Sequence, residues 1–185
     1  MAIGYKLFKI KKGTGQLFPL YVNANESIPI GVWVDAKNGA MKDGKVISKL
    51  GLLKYRPGWH INDNCPYVSH IGKKENGVIK YMHPDTVWAE VEYSDEIDYC
   101  EKAKAAGMIN GKLNHKKACL DYVPVNGFYR YKTSPTMTGE WIIAGKMRIN
   151  RIMSDDEVEF LCLEAGYEPL GRLEKINLRE YGFAI

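Results

Sequence analysis

The sequence predicts an α+β domain: a mostly antiparallel sheet carrying two or three helices. Three observations point there. Short runs of alternating apolar and polar residues recur along the chain, Asx-Gly dipeptides separate several of them, and only two stretches carry helix start and stop signals.

The elements follow in order. "YKLFKI" sets Phe8 and Ile10 against Lys9 and Lys11, the period of a half-buried strand. "QLFPLYVN" and "IGVWVDA" read as further strands. Asn38-Gly39 and Asp43-Gly44 tolerate positive φ and predict tight turns around them. "KVISKLGLLKYR" continues the β pattern, and "IGKKENGVIKYM" predicts a hairpin with Asn76-Gly77 at its tip. In "DTVWAEVEY", Val87, Ala89 and Val91 share one face and Trp88, Glu90 and Glu92 the other. Asp95 is placed to cap a first helix over "EIDYCEKAKAAG", with Gly107 as a left-handed stop. "GFYRYKTSP" and "EWIIAGKMRINRIM" both alternate and predict an antiparallel pair. Ser154 with Glu157 three residues on predicts a reciprocal capping box for a second helix, whose apolar face holds Val158, Leu161 and Cys162 before Gly166 ends it. The tail is amphipathic but uncapped, and is left open as helix or strand. The expected organisation is one α+β domain over 1–170, with 171–185 packed on it.

At 185 residues, 45% hydrophobic and 26% charged, the chain has the make-up of a soluble globular domain with a real core. Its start alternates lysine with apolar residues and resembles no signal peptide, and no apolar run approaches the roughly 20 residues of a membrane span. A cytoplasmic protein is expected. The four cysteines, Cys65, Cys100, Cys119 and Cys162, form no C-x-x-C pair, and His60, Cys65 and His70 lie five apart, which is no metal spacing. Reduced thiols, no metal and no cofactor are expected.

"KYRPGWHINDNCPYVSHIG" gathers Arg56, His60, Asp63 and His70 around a Pro-Gly turn. These side chains suit acid–base work or phosphate binding, and Pro57 with Gly58 could present the histidine rigidly. No second motif joins them: the chain has no phosphate loop, no nucleophile elbow and no H-x-x-x-H. A shaped structural turn is therefore the expectation, and no catalytic residue is assigned. A nuclease or a nucleotide transferase built on this loop is the alternative.

Charge is unevenly spread over a net +4. Asp85 to Glu101 holds seven carboxylates and no lysine or arginine, and Glu90, Glu92, Asp95, Glu96 and Asp98 are the candidate partner-binding acidic face. Arg130 and Lys132 share one strand face, as do Lys146 and Arg148. If those strands pair in matching register, the four cations line a phosphate-binding patch. The plainer alternative is that antiparallel sheets ordinarily expose a polar, lysine-rich face.

Several stretches carry a family resemblance: "YKLFKIKKGTGQLFPLYVNANESIPIGVWVDA", "KYRPGWH" with "P" and "HIG" downstream, "DTVWAEVEY", and "GFYRYKTSPTMTGEWIIAGKMRINRIMSDDEV". They cover most of residues 5 to 160. The chain resembles small proteins and domains from gut-bacterial phages, plasmids and metagenomes, and within them the type II-A anti-CRISPR inhibitors of Cas9. That resemblance implies a non-enzymatic counter-defence protein in the bacterial host. It would bind the Cas9–guide RNA complex and block DNA cleavage, with double-stranded DNA as a candidate second partner. No family motif transfers inhibitory contacts to individual residues. The "RPGWH" loop also occurs in domains of unknown activity, which keeps the enzyme alternative open.

Overall fold

The computed structural model describes all residues except 68–71, 77, 82–84, 138, 169–176 and 185. His70 therefore lies outside the described residues, as does Gly77 of the expected hairpin tip. The strands, in chain order, are β1 (Ala2–Lys11), β2 (Gln16–Phe18), β3 (Trp33–Asp35), β4 (Met41–Lys42), β5 (Lys45–Ser48), β6 (Gly51–Lys54), β7 (Trp59–Asn62), β8 (Gly72–Glu75), β9 (Val78–Tyr81) and β10 (Thr86–Tyr93). After β11 (Ile97–Asp98) come α1 (Cys100–Ala106), β12 (Met108–Ile109), β13 (Lys112–Leu113), β14 (Gly127–Tyr131), β15 (Trp141–Ala144), β16 (Lys146–Ile152) and α2 (Asp155–Glu164). This is the predicted α+β class.

Nine strands form one sheet along the path β11-β14-β15-β7-β1-β10-β16-β3, with β2 added beside β1. Apart from the parallel pair β11–β14, the neighbours on this path are antiparallel. The run "EWIIAGKMRINRIM" is one stretch in sequence but two strands in the sheet. β15 pairs with β14 and β7, while β16 pairs with β10 and β3. Only Gly145 separates them, so the path β15-β7-β1-β10-β16 returns to its own starting strand and closes into a barrel-like circuit. Gly145 is also where the inward parity changes: Ile142 and Ala144 join the main core before it, Met147 and Ile149 after it.

Three apolar clusters stabilise the domain. The interior of the circuit holds Phe8, Ile10, Ile61, Val87, Ala89, Val91 and their neighbours, and Phe183 from the tail packs there too. Leu7 and Trp88 point the other way and pack with Met153, Val158 and Cys162 under α2. Tyr129, Tyr131 and Ile143 pack with Ala103 of α1, Leu120 and Val123. The alternation read in β1 and β10 thus holds, except that both faces of these strands are covered.

Both helices depart in detail from expectation. Asp95 does not cap α1, because Ile97 and Asp98 are drawn into pairing with Gly127 and Phe128. The helix begins at Cys100, whose backbone N–H donates to the Asp98 carboxylate at 2.7 Å. Gly107 has φ −87°, so it is not a left-handed stop; its lack of a side chain lets Ala118 approach. At α2, Ser154 accepts from the Glu157 N–H at 3.2 Å as expected, but the Glu157 carboxylate turns to Arg151 at 2.5 and 2.8 Å. The box is half formed because a charged partner outbids a backbone N–H.

Among the turns, Asp43-Gly44 takes positive φ at both residues and joins β4 to β5. Asn76 does likewise between β8 and β9. Asn38-Gly39 makes no such turn, and Asn110-Gly111, unremarked in the sequence, closes β12–β13. All four cysteines are free thiols, with Cys65 and Cys162 buried.

Candidate nucleotide-binding cleft

Where β7 crosses under the loop from Leu53 to Gly58, a cleft of about 510 Å³ opens. Its walls come from β1, the segment after β2, the β5–β6 hairpin and β7. The "YRPGWH" stretch lines it from Tyr55 to His60. Gly58 is required here: its φ is +115°, and a Cβ would lie 2.4 Å from Cγ2 of Ile143.

The charge of the lining is its most informative property. Lys6, Lys37, Lys54, Arg56 and His60 all contribute, together with Tyr21, Tyr55, Trp59 and Trp141, and no aspartate or glutamate does. Lys37 is paired with Glu26 at 2.9 Å. Lys6 and Arg56 have no carboxylate partner among the described residues. Lys6 donates to the carbonyl of His60 at 2.7 Å and lies 5.7 Å from the Trp59 ring centroid. Burial pushes its ammonium down to about 8. The Arg56 guanidinium lies 3.8 Å from the Tyr131 ring centroid and donates to its hydroxyl at 2.6 Å, while its Nε is buried without a partner. Two cations without a carboxylate partner therefore face a partly desolvated cleft, an arrangement that could accept an anion.

His60 is held by Gly58, whose carbonyl lies 3.2 Å from Nδ1. A carbonyl only accepts, so Nδ1 is the donor in this contact. The ring meets Trp141 edge-on at 5.9 Å. Asp63 does not join it. One residue beyond β7, its carboxylate is ion-paired with Arg130. The residues that complete the cleft, Lys6 and Trp141, come from strands far away in sequence. Lys6 had been legible only as one more lysine of an alternating strand.

The two charged patches read from the sequence are brought together rather than apart. Glu92 pairs with Arg148, Glu90 with Arg151 at 2.9 Å, and Glu96 lies 3.8 Å from Lys146. Asp95 accepts from the amino group of Met1 at 3.2 Å, and Asp98 accepts from the backbone N–H of Cys100 at 2.7 Å. The register explains this: Glu92 sits directly opposite Arg148 across β10–β16. Nor do the four cations share a patch. Arg130 is opposite Ile142 on β15, with Lys132 just beyond β14, whereas Lys146 and Arg148 lie past Gly145 between β10 and β3. One pair sits on and just after β14, alongside β15, and the other on β16 past the bend.

Among the described residues no group of three or more His, Cys, Asp or Glu could hold a metal ion, and no helix is long and apolar enough to cross a membrane. No family model, curated protein or solved structure matches this chain.

Proposed function

We propose that this chain acts on a phosphate-bearing nucleotide or nucleic acid through the cleft beneath the "YRPGWH" loop. The observation that carries this is the carboxylate-free lining that holds Lys6 and Arg56 without counter-charges. Arg56 and Lys6 bind the phosphate, the aromatic walls stack on the base, and His60 is the group placed for proton transfer. Calorimetric titration with a nucleoside triphosphate tests the binding. A charge-assisted contact of about 1.5–3 kcal/mol sets the scale, so Arg56→Met should weaken affinity by at least tenfold. Absence of binding by the wild type, or equal binding by a folded Arg56→Met, overturns the reading. His60→Ala should bind within a few-fold of wild type and lose any turnover.

A second reading, the inhibitor of guide-loaded Cas9 implied by the resemblance, is favoured by one observation. On α2, Phe160 and Leu163 are 60% and 58% exposed, flanked by Glu159 and Glu164, an apolar and acidic face suited to a basic protein surface. The charge pairs Glu92–Arg148 and Glu90–Arg151 leave less for the interface first read from the sequence. If this reading holds, one equivalent of protein stops DNA cleavage by guide-loaded Cas9 and Phe160→Ser with Leu163→Ser relieves the block. Full cleavage at excess wild-type protein removes it.

A further inference from the structure

We infer that the outer face of the β4–β5–β6 sheet carries a strand of nucleic acid into the cleft, so that the ligand is a single-stranded polynucleotide and not a free mononucleotide; this rests on the cleft reading above. Lys42 is directly opposite Lys45, and Lys45 is directly opposite Lys54. Residues opposed in register share a face, so the three ammonium groups form one row across three strands. At about 4.8 Å between strands the row spans roughly 10 Å, enough to meet more than one phosphate of an extended strand.

Local structure does not account for this row. Directly opposed like charges destabilise a sheet, and none of the three lysines has a carboxylate partner among the described residues. Lys37 and Lys146 do have one, whereas these three share its absence with most described lysines of the chain, and what distinguishes them is their direct opposition in register. Lysines on β4 and β6 could serve to block edge-to-edge pairing, but Lys45 lies on the central strand, where no edge needs blocking. On the same face Ile47 is opposite Leu52, and both are exposed, a surface for bases or sugars between the charges.

The row leads to the cleft because Lys54 belongs to both. It lines the cleft, and its Nζ donates to the carbonyl of Lys116 in the turn His115–Lys117, which brings two more exposed lysines beside it. A charged track joined to an aromatic-walled pocket is how single strands are held: phosphates on cations, bases on rings. A pocket of this volume admits an unpaired nucleotide and no duplex.

The test uses the double variant Lys42→Gln with Lys45→Gln, two exposed positions outside the cleft lining. Binding is measured for a fluorescent 12-nucleotide single strand, the matching duplex and a nucleoside triphosphate over a salt series. The expected result is about a tenfold loss for the single strand and a salt slope shallower by about 1.4, two contacts at roughly 0.7 each. Nucleoside triphosphate affinity should be unchanged. Single-strand affinity and slope equal to wild type, with triphosphate binding intact, overturn this inference and leave the cleft reading standing. Duplex bound as tightly as single strand also overturns it. Wild-type protein that binds neither strand nor triphosphate overturns both.

Discussion

Gly145→Ala is expected to cost about 4 kcal/mol or more, enough to leave little folded protein, because it combines backbone overlap with disruption of the strand that closes the sheet. A Cβ at this position would lie 1.9 Å from the carbonyl oxygen of Pro124 and 2.8 Å from the Cα of Val125. Both obstacles are backbone, so no rotamer change relieves them. Nor can Gly145 move away. Its N–H donates to the carbonyl of Gly127 at 2.9 Å, and its carbonyl accepts from the N–H of Ala36 at 2.7 Å, which ties it to the segments leading into β14 and out of β3. Chemical denaturation checks the prediction. Gly31→Ala is the control: its Cβ meets nothing within 4 Å, so it isolates the strain of a positive φ, here +79°, at about 1 kcal/mol. A Gly145→Ala midpoint no lower than that of the control would show that the closure tolerates displacement.

This glycine also marks where sequence reasoning lost the topology. Alternation predicted that residues 140–153 were β structure and that part of them pairs with 127–131, and both hold. What period-two patterning does not encode is which neighbour each half of a long strand selects. Gly145 inside an alternating run is the signal of a bend or close backbone approach. The consequence was functional. With one straight hairpin assumed, Arg130, Lys132, Lys146 and Arg148 formed a patch; with the bend, Arg148 faces Glu92 and Arg130 faces Asp63. Opposite charges far apart in sequence came together because antiparallel register places them so, and sequence separation carries no information about that.

The loop at Arg56 to His60 was legible as a shaped turn with useful side chains, and Gly58 takes the positive φ that such a turn asks of a glycine. Its partners were not. Asp63 was the natural companion for His60 by proximity in sequence, yet strand alternation puts residue 63 out of step with residue 60, and Arg130 captures it. Lys6 is the companion the fold supplies, through the single bridge between Tyr5 and Asn62 that brings β1 beside β7.

Lys6→Met should therefore make the protein more stable while removing its affinity for phosphate. The Lys6 ammonium is half-buried, with one carbonyl acceptor and no carboxylate to offset its desolvation. The depression of Lys6 from 10.5 to about 8 is the signature of that cost, on the order of 3 kcal/mol. Methionine keeps an unbranched apolar stem, one atom shorter and without the charge, so a gain in melting temperature is expected at pH 7.

The pH dependence gives the sign independently. Below about 8 the amine is protonated in both folded and unfolded chains, and the full cost is present. Between about 8 and 10.5 the unfolded chain holds more protons than the folded one, so wild-type stability rises with pH. The advantage of Lys6→Met should shrink over that window. Phosphate affinity of the wild type runs the opposite way, falling as pH rises past 8, since a neutral amine no longer attracts the anion; in Lys6→Met this fall should be absent. A variant less stable than wild type at pH 7, or one that keeps the wild-type pH profile for binding, would show that Lys6 is a structural lysine and that the anion sits elsewhere. A lysine whose ammonium has a carbonyl and ring faces around it, but no carboxylate, is well placed for a ligand that supplies the missing negative charge.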